Sequence, residues 1–346
     1  MKKSIKLVSI VLALVLILAL AVGFVACNKK SGGNQQEVVE SFSVSDLKGK
    51  TVACIGEGAV PGLTFQYILA KNNIEVITEG TPNENQVKII WAADGTIANT
   101  AVVNGSADYA VVGEPAATAL SARFGYNLRL DLQAEYAKCE EANGATYPQA
   151  GIFVKSDLAL NSGFMSALFA ALAANKQWIA ANKADVTAYM QENLYESATF
   201  PAASLDRCAI NASEINSAEQ QRIVAFLKNI APNTDWDSKV STIFASSNRE
   251  ERAEFSGSTT LRFAAPEGTP ALAIGHMATA NTTLYGATMQ YAAVAPSLIK
   301  QEMAANTADI VIMPINAGAT LIANGKDYKL VSVAVDGSLY LIGNKQ

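Results

Sequence analysis

The chain has 346 residues, of which 50% are hydrophobic and 16% are charged, and its formal net charge is −5. This composition is typical of a globular protein with a sizeable core and excludes a disordered chain. No basic stripe occurs in the sequence, so nucleic acid is excluded as an expected partner.

The N-terminus has the pattern of an export signal. Three lysines lie within the first six residues, and an apolar run continues to Val25. A basic start and an apolar stretch before a small residue are typical of a secretory signal, and Phe24–Cys27 resembles a lipoprotein lipobox. We predict a signal peptide over 1–26, lipidation of Cys27 and a flexible tether over 27–44. The alternative is an uncleaved membrane helix, and both place the remainder outside the cytoplasm.

Residues 45–150 alternate strands and helices. The predicted strands are Thr51–Ile55, Val87–Trp91 and Asp108–Val112, and helices are predicted over Leu63–Lys71, Gly95–Gly105 and Ala116–Arg123. This βαβαβα order predicts an open sheet with helices on both faces, and therefore an α/β lobe.

The middle of the chain is mainly helical. After a strand at Ala150–Val154, apolar residues three and four apart predict helices over 161–182, 185–194 and 213–230. We assign 151–232 to the second lobe as a hinge strand followed by helices. Residues 233–257 have little periodicity and are predicted to be a joining linker, although their charged run fits a solvated helix face equally well.

Residues 258–346 are predicted to form the α/β core of the second lobe, because they repeat the organisation of the first. Thr51–Lys71 and Thr260–Ala280 each read as a strand, a turn with Gly and Pro, and a helix. Each copy is followed by Ala-Asp, an apolar strand and a proline, at Ala107–Pro115 and Ala308–Pro314. The duplication predicts two similar lobes that face each other across a cleft.

Catalysis is poorly supported by the sequence. The single histidine, His276, lies on an apolar helix and is interpreted as a packing residue. The cysteine spacings are not of the metal-binding type, no cofactor is expected, and a Cys139–Cys208 disulfide is left open. We therefore predict that the protein is not an enzyme.

Binding is better supported, because ligands of open α/β sheets lie beyond the carboxyl ends of the strands. The loops there run into helices, whose first N–H groups attract anionic groups. Gly58 and Gly268 allow close backbone approach, and Thr64, Thr269 and Asn316 offer side-chain hydrogen bonds. Glu57, Glu114 and Glu267 at these helix starts are interpreted as ordinary helix-dipole partners. They also argue against a strongly anionic ligand, or for one that carries a positive group as well.

Four segments together resemble the substrate-binding lipoproteins of ABC importers. They read SDLKGKTVACIGEGAVPGLTFQYILAKN, NGSADYAVVGEPAA, TYPQAGIFVKSDL and LRFAAPEGTPALAIGHMA, the last continuing to ADIVIMPINAGATLIANGKDYKL. The group they resemble binds nitrate, sulfonates, taurine and thiamine precursors. The resemblance implies a two-lobed type II periplasmic-binding-protein fold, a small-molecule ligand and a partner ABC permease and ATPase. It also implies that Ala59, Pro61, Glu114 and Glu267 line the ligand.

The segments stand in reversed order relative to that family, so the chain resembles a circular permutant joined through 233–257. We expect a single covalent crossing between the lobes, near Tyr147–Phe153, and therefore freer opening. Two alternatives stay open, an enzyme of menaquinone or thiamine-pyrimidine synthesis on the same fold and a sensor lipoprotein. The ligand stays open among sulfonates, nitrate-like anions, zwitterions and pyrimidine precursors.

Overall fold

The computed structural model describes residues 42–343. The predicted signal peptide, Cys27 and nearly all of the tether lie outside these residues. Within the described part of the chain, every helix is too short or too polar to cross a membrane.

Strands and helices alternate along the described chain. The strands are β1 (Thr51–Ile55), β2 (Glu75–Ile77), β3 (Gln86–Ala92), β4 (Tyr109–Gly113), β5 (Asn127–Asp131), β6 (Pro148–Lys155), β7 (Thr260–Pro266), β8 (Thr283–Leu284), β9 (Ala287–Val294), β10 (Ile310–Pro314), β11 (Tyr328–Asp336) and β12 (Leu339–Gly343). The α-helices are α1 (Val60–Lys71), α2 (Gly95–Val103), α3 (Ala116–Phe124), α4 (Leu132–Ala137), α5 (Ser156–Ala159), α6 (Ser162–Ala181), α7 (Val186–Asn193), α8 (Ser217–Ile230), α9 (Val240–Ile243), α10 (Thr269–Leu272), α11 (Met277–Ala280), α12 (Ile299–Ala304) and α13 (Ile315–Ala323).

Several helix starts follow directly from the local sequence. Asp94, Asn161 and Asn216 precede α2, α6 and α8, and each side chain accepts a backbone N–H of the first helical turn. Such capping satisfies a donor that the helix itself leaves unpaired. These starts lie close to those predicted from the apolar periodicity.

The strands form two six-stranded mixed sheets. The first has the order β2-β3-β1-β4-β12-β5, and the second has the order β11-β6-β10-β7-β9-β8. In the first, β1 is parallel to β3 and β4, and β12 is antiparallel to β4 and β5. In the second, β7 is parallel to β9 and β10, and β6 is antiparallel to β10 and β11. The predicted two-sheet α/β fold class is confirmed.

Five strands of each sheet are topologically equivalent, whereas the sixth, β2 or β8, differs in direction. Strands β3-β1-β4-β12-β5 of the first correspond in order and direction to β9-β7-β10-β6-β11 of the second. The repeated strand–turn–helix units predicted from sequence begin with β1 and β7, which occupy the same position in their sheets. Both are largely buried, as expected for strands covered by helices on both faces.

The chain crosses between the sheets twice, so the prediction of a single crossing is wrong. It enters the second sheet through β6, and after Asp336 it returns to the first sheet as β12. The prediction had placed Leu339–Ile342 with the second lobe. The two crossings lie side by side, since the Gly337 N–H donates to the Tyr147 carbonyl at 3.0 Å. Because two covalent crossings join the lobes, unusually free opening is no longer expected.

Helix α8 ties these crossings together. The Arg222 guanidinium donates to Asp336 Oδ1 at 2.6 Å and to the Thr146 carbonyl at 2.9 Å. On the same helix, Asn229 Nδ2 donates to the Tyr136 hydroxyl at 2.9 Å. Helix α8 therefore packs on the first lobe, although its sequence position had assigned it to the second.

Residues 233–257 are held against the second sheet and its helices, which differs from the predicted surface linker. Trp236 is 1% exposed, and its Nε1 donates to the Ala231 carbonyl at 2.8 Å. Phe244 forms a β-bridge with Leu330 of β11. Helix α9, which lies between Trp236 and Phe244 in the chain, packs on α13. The charged run 248–252 is not helical, and its two arginines pair with Glu214, Asp157 and Glu250.

Candidate ligand-binding cleft

The loops at the carboxyl ends of the parallel strands meet between the two sheets. Asn316, in the first turn of α13 after β10, donates from Nδ2 to the Gly58 carbonyl after β1 at 3.1 Å. Thr269, at the start of α10 after β7, donates from Oγ1 to the Glu114 carbonyl after β4 at 2.5 Å. Because β1 corresponds to β7 and β4 to β10, the two contacts are related by the duplication. The structure therefore brings residues predicted from both halves of the chain together.

The two predicted glycines have backbone conformations that suit a close approach. Gly58 has φ 67° and Gly268 has φ 92°, and side chains other than glycine are strained in this region. The Gly268 N–H donates to the Tyr195 hydroxyl at 3.1 Å. Burial raises the pKa of Tyr195 to about 12, so this hydroxyl stays protonated at neutral pH.

Glu114 makes a buried ionic contact across the cleft. Its side chain is 0% exposed and accepts from Arg207 Nε at 2.7 Å. The same carboxylate accepts from the Thr118 backbone N–H at 3.0 Å and from the Thr118 hydroxyl at 2.8 Å. Thr118 lies in the first turn of α3, so Glu114 is a helix-start carboxylate, in agreement with its interpretation as a dipole partner.

Arg207 was missed by the sequence reasoning. It lies in the irregular segment between α7 and α8, where no motif or periodicity marks it. Its guanidinium also donates to the Thr118 hydroxyl and lies 5.9 Å from the centre of the Tyr340 ring on β12. Arg207 thus links the second lobe to two elements of the first.

Two buried polar atoms at the cleft have no hydrogen-bond partner, namely Thr64 Oγ1 and Asn316 Oδ1. Thr64 is 0% exposed and Asn316 is 7% exposed. A buried polar atom without a partner costs about 1–3 kcal/mol, so such atoms are rare unless something else satisfies them. Both residues were predicted as ligand contacts. Unpaired buried atoms also occur at Asn99, Ser121, Gln133 and Tyr147, so the two at the cleft support a ligand through their position on the helices after β1 and β10.

The remaining predicted residues lie on the same loops. Ala59 caps α1 and donates its N–H to the Gly56 carbonyl at 3.0 Å, and Pro61 is buried in the first turn of that helix. Glu57 is exposed, whereas Glu267 is half-buried and donates its N–H to the Val294 carbonyl at 2.9 Å. Ala59 and Pro61 therefore shape the loop, and the two glutamates add negative charge beside Gly58 and Gly268.

Two aromatic side chains, His276 and Trp91, have packing roles. The His276 ring stacks on Trp178 with centroids 4.7 Å apart, and burial lowers its pKa. This agrees with its interpretation as a packing residue. Trp91 packs over α1, since a Cβ added to Gly62 would lie 2.8 Å from the Trp91 ring.

The described cysteines, Cys54, Cys139 and Cys208, are all free and buried. Burial raises the pKa of Cys208 to about 12, although a hydrogen bond with Thr269 opposes the shift. Because the thiolate is the reactive form, we expect alkylation of Cys208 at pH 8 to be more than about 100-fold slower in the folded protein than in urea. Peptide mass spectrometry after timed alkylation measures this. Equal rates in both conditions, or a Cys139–Cys208 disulfide peptide, would contradict it.

Comparison with known proteins gives only loose likenesses. No protein-family model and no curated protein matches the chain. Among solved structures, the phosphate-binding protein of a phosphate ABC transporter from Streptococcus pneumoniae TIGR4 is 14% identical, with a TM-score of 0.33. The match covers 86% of this chain and 89% of that one. The alkanesulfonate-binding protein SsuA from Xanthomonas axonopodis pv. citri, bound to MOPS, is 12% identical, with a TM-score of 0.30.

That second match covers 86% of this chain and 65% of the SsuA chain. An ATP phosphoribosyl transferase complex from Thermotoga maritima is 8% identical, with a TM-score of 0.29. That match covers 85% of this chain and 87% of the other. Binding proteins and an enzyme thus appear at nearly the same score. Superpositions this loose carry no argument about ligand or activity, which has to come from the cleft itself.

Proposed function

We propose that the protein is an extracytoplasmic solute-binding protein that closes two lobes on a small polar molecule and delivers it to an ABC importer. The ligand belongs to the range left open by the sequence, from sulfonates and nitrate-like anions to zwitterions and pyrimidine precursors. Lipid anchoring through Cys27 and the permuted order of the segments belong to the same proposal, and both rest on the sequence alone.

The observation that supports binding most strongly is the pair of unsatisfied atoms at the cleft, Thr64 Oγ1 and Asn316 Oδ1. One comes from each lobe, Thr64 on the helix after β1 of the first sheet and Asn316 on the helix after β10 of the second. A ligand held between the lobes would contact both, and would gain the hydrogen bonds that the protein itself leaves unmade. Ligand release would then accompany separation of the lobes.

Replacing Thr64 by valine separates binding from folding. Valine keeps the shape but removes the unpaired hydroxyl, so the free energy of unfolding without ligand should stay equal or rise by up to about 1 kcal/mol. Affinity for the ligand should fall roughly 5- to 30-fold, because about 1–2 kcal/mol of hydrogen bonding is lost. Native mass spectrometry of the purified protein identifies a carried ligand, and calorimetric titration measures its affinity.

Thr187 supplies the matched control. Its hydroxyl donates to the Phe200 carbonyl and accepts from the Phe200 N–H, both at 2.9 Å, away from the cleft. Thr187→Val should lower stability and leave ligand affinity unchanged, the reverse of Thr64→Val. If Thr64→Val behaves like Thr187→Val, the hydroxyl of Thr64 does not serve a ligand and the proposed cleft is wrong.

A further inference from the structure

We infer that the cleft selects a ligand that donates N–H hydrogen bonds, uncharged or positively charged, and that Glu114 excludes anionic ligands by occupying the anion-binding position itself. The inference rests on the proposed function and narrows its ligand to one chemical class. Three independent features of the cleft support it: the partners of Glu114, the orientation of the Asn316 amide, and the charges of the flanking loops.

The groups in the cleft that favour an anion are already paired. The Arg207 guanidinium and the first-turn N–H of Thr118 are the donors that would attract a sulfonate or carboxylate. Both donate to the Glu114 carboxylate, at 2.7 and 3.0 Å. The Glu114 side chain is fully buried in this position. An incoming anion would have to displace it, and a like charge beside it would be unfavourable.

The orientation of the Asn316 side chain is set by its neighbour. The Gly58 carbonyl can only accept, so the amide nitrogen of Asn316 must face it, at 3.1 Å. The amide oxygen is then left buried and without a partner. An amide oxygen accepts hydrogen bonds and donates none, so the missing partner has to be a donor. An N–H or O–H group fits this requirement, whereas a sulfonate or nitrate oxygen does not. Of the two donors, an N–H group can also carry the positive charge that the carboxylates of the flanking loops favour.

The charges of the flanking loops act in the same direction. Glu57 precedes Gly58 and Glu267 precedes Gly268, so each wall of the cleft has a carboxylate next to its close-approach glycine. Because Glu114 neutralises Arg207, these two carboxylates make the electrostatic potential in the cleft negative. The cleft therefore favours a neutral or cationic ligand over an anionic one.

The test compares three small probes of similar size: ethanesulfonate, ethylammonium and propionamide. Melting temperature is measured for the full protein, for Glu114→Gln and for Glu302→Gln, at constant ionic strength. Wild type should be stabilised by the two N–H probes and not by ethanesulfonate. Glu114→Gln should gain stabilisation by ethanesulfonate of a few degrees, because the Arg207 charge is no longer neutralised and one acceptor oxygen is replaced by an amide group that cannot accept. Glu302 pairs with Arg262 outside the cleft, so Glu302→Gln should not gain it.

The outcomes separate the inference from the proposed function. Stabilisation of wild type by ethanesulfonate, or a carried anion found by native mass spectrometry, overturns the inference and leaves the binding function standing. No gain in a folded Glu114→Gln variant also overturns it. If that variant does not fold, the molecule carried by the wild type decides: a neutral or cationic ligand that bears an N–H group supports the inference. A wild type that carries no molecule and responds to no probe overturns both.

Discussion

Replacing Arg207 by alanine is expected to open the cleft and to weaken ligand binding. The change leaves the buried Glu114 carboxylate without its guanidinium, which costs the closed form about 3 kcal/mol. The cost lies at the lower end of the range for a broken buried pair, because the Arg207 side chain is 35% exposed. When the lobes separate, water solvates Glu114. The change therefore raises the free energy of the closed form relative to the open form, and the free energy of unfolding of the open form stays the same. Small-angle X-ray scattering should show a larger radius of gyration without ligand.

Arg262 provides the control for this experiment. Its guanidinium donates to Glu302 at 2.9 Å within the second lobe, away from the cleft. Arg262→Ala should therefore lower stability without changing the scattering profile. An Arg207→Ala protein as compact as the wild type, with the same ligand affinity, would show that the pair does not hold the lobes closed.

Replacing Trp236 by alanine is expected to destabilise the protein by about 3–5 kcal/mol, as large-to-small changes of buried aromatic residues do. Trp236 is 1% exposed, and the variant also loses the hydrogen bond from Nε1 to the Ala231 carbonyl. Urea unfolding monitored by circular dichroism measures the change. The variant reports directly on whether residues 233–257 are part of the fold.

Leu298 is the contrasting position, because it is 53% exposed. Leu298→Ala should change the free energy of unfolding by less than about 0.5 kcal/mol. If Trp236→Ala is equally mild, the segment behaves as the free linker that its sequence suggested, and its packing against the second lobe is not important for stability.

Much of the fold could be predicted from local patterns. The strand–turn–helix unit at Thr51–Lys71 is correct in type, because apolar runs bounded by Gly and Pro specify their own secondary structure. In Thr260–Ala280 the strand is correct, but the predicted helix is two four-residue helices, α10 and α11, with His276 in the turn between them. The neighbouring strands with which a strand pairs could not be predicted in this way. Leu339–Gly343 is a short apolar strand that is buried in the first sheet, and the same pattern would suit the second equally well. The apolar pattern of a strand indicates that the strand is buried, but not to which sheet it belongs.

Some residues of the candidate site could also be predicted from the sequence, and others could not. Asn316, Thr269 and Gly58 were predicted because each follows a strand in a βα loop, and such loops converge wherever parallel strands end together. Arg207 could not be predicted, because its role depends on Glu114, 93 residues away in sequence. Nothing local marks the irregular segment in which it lies.

The sequence by itself determined the strand that opens each repeated βα unit, the helix after β1 and the duplication of the unit, because these depend on neighbouring residues and on the 2.0 and 3.6 residue periods. Strands β2, β5, β8 and β9 were not predicted. Only the tertiary structure decided that β12 returns to the first sheet, that 233–257 is packed, and that Glu114 is paired with Arg207. These depend on contacts between distant segments, whose free energy is set by burial and charge pairing in three dimensions.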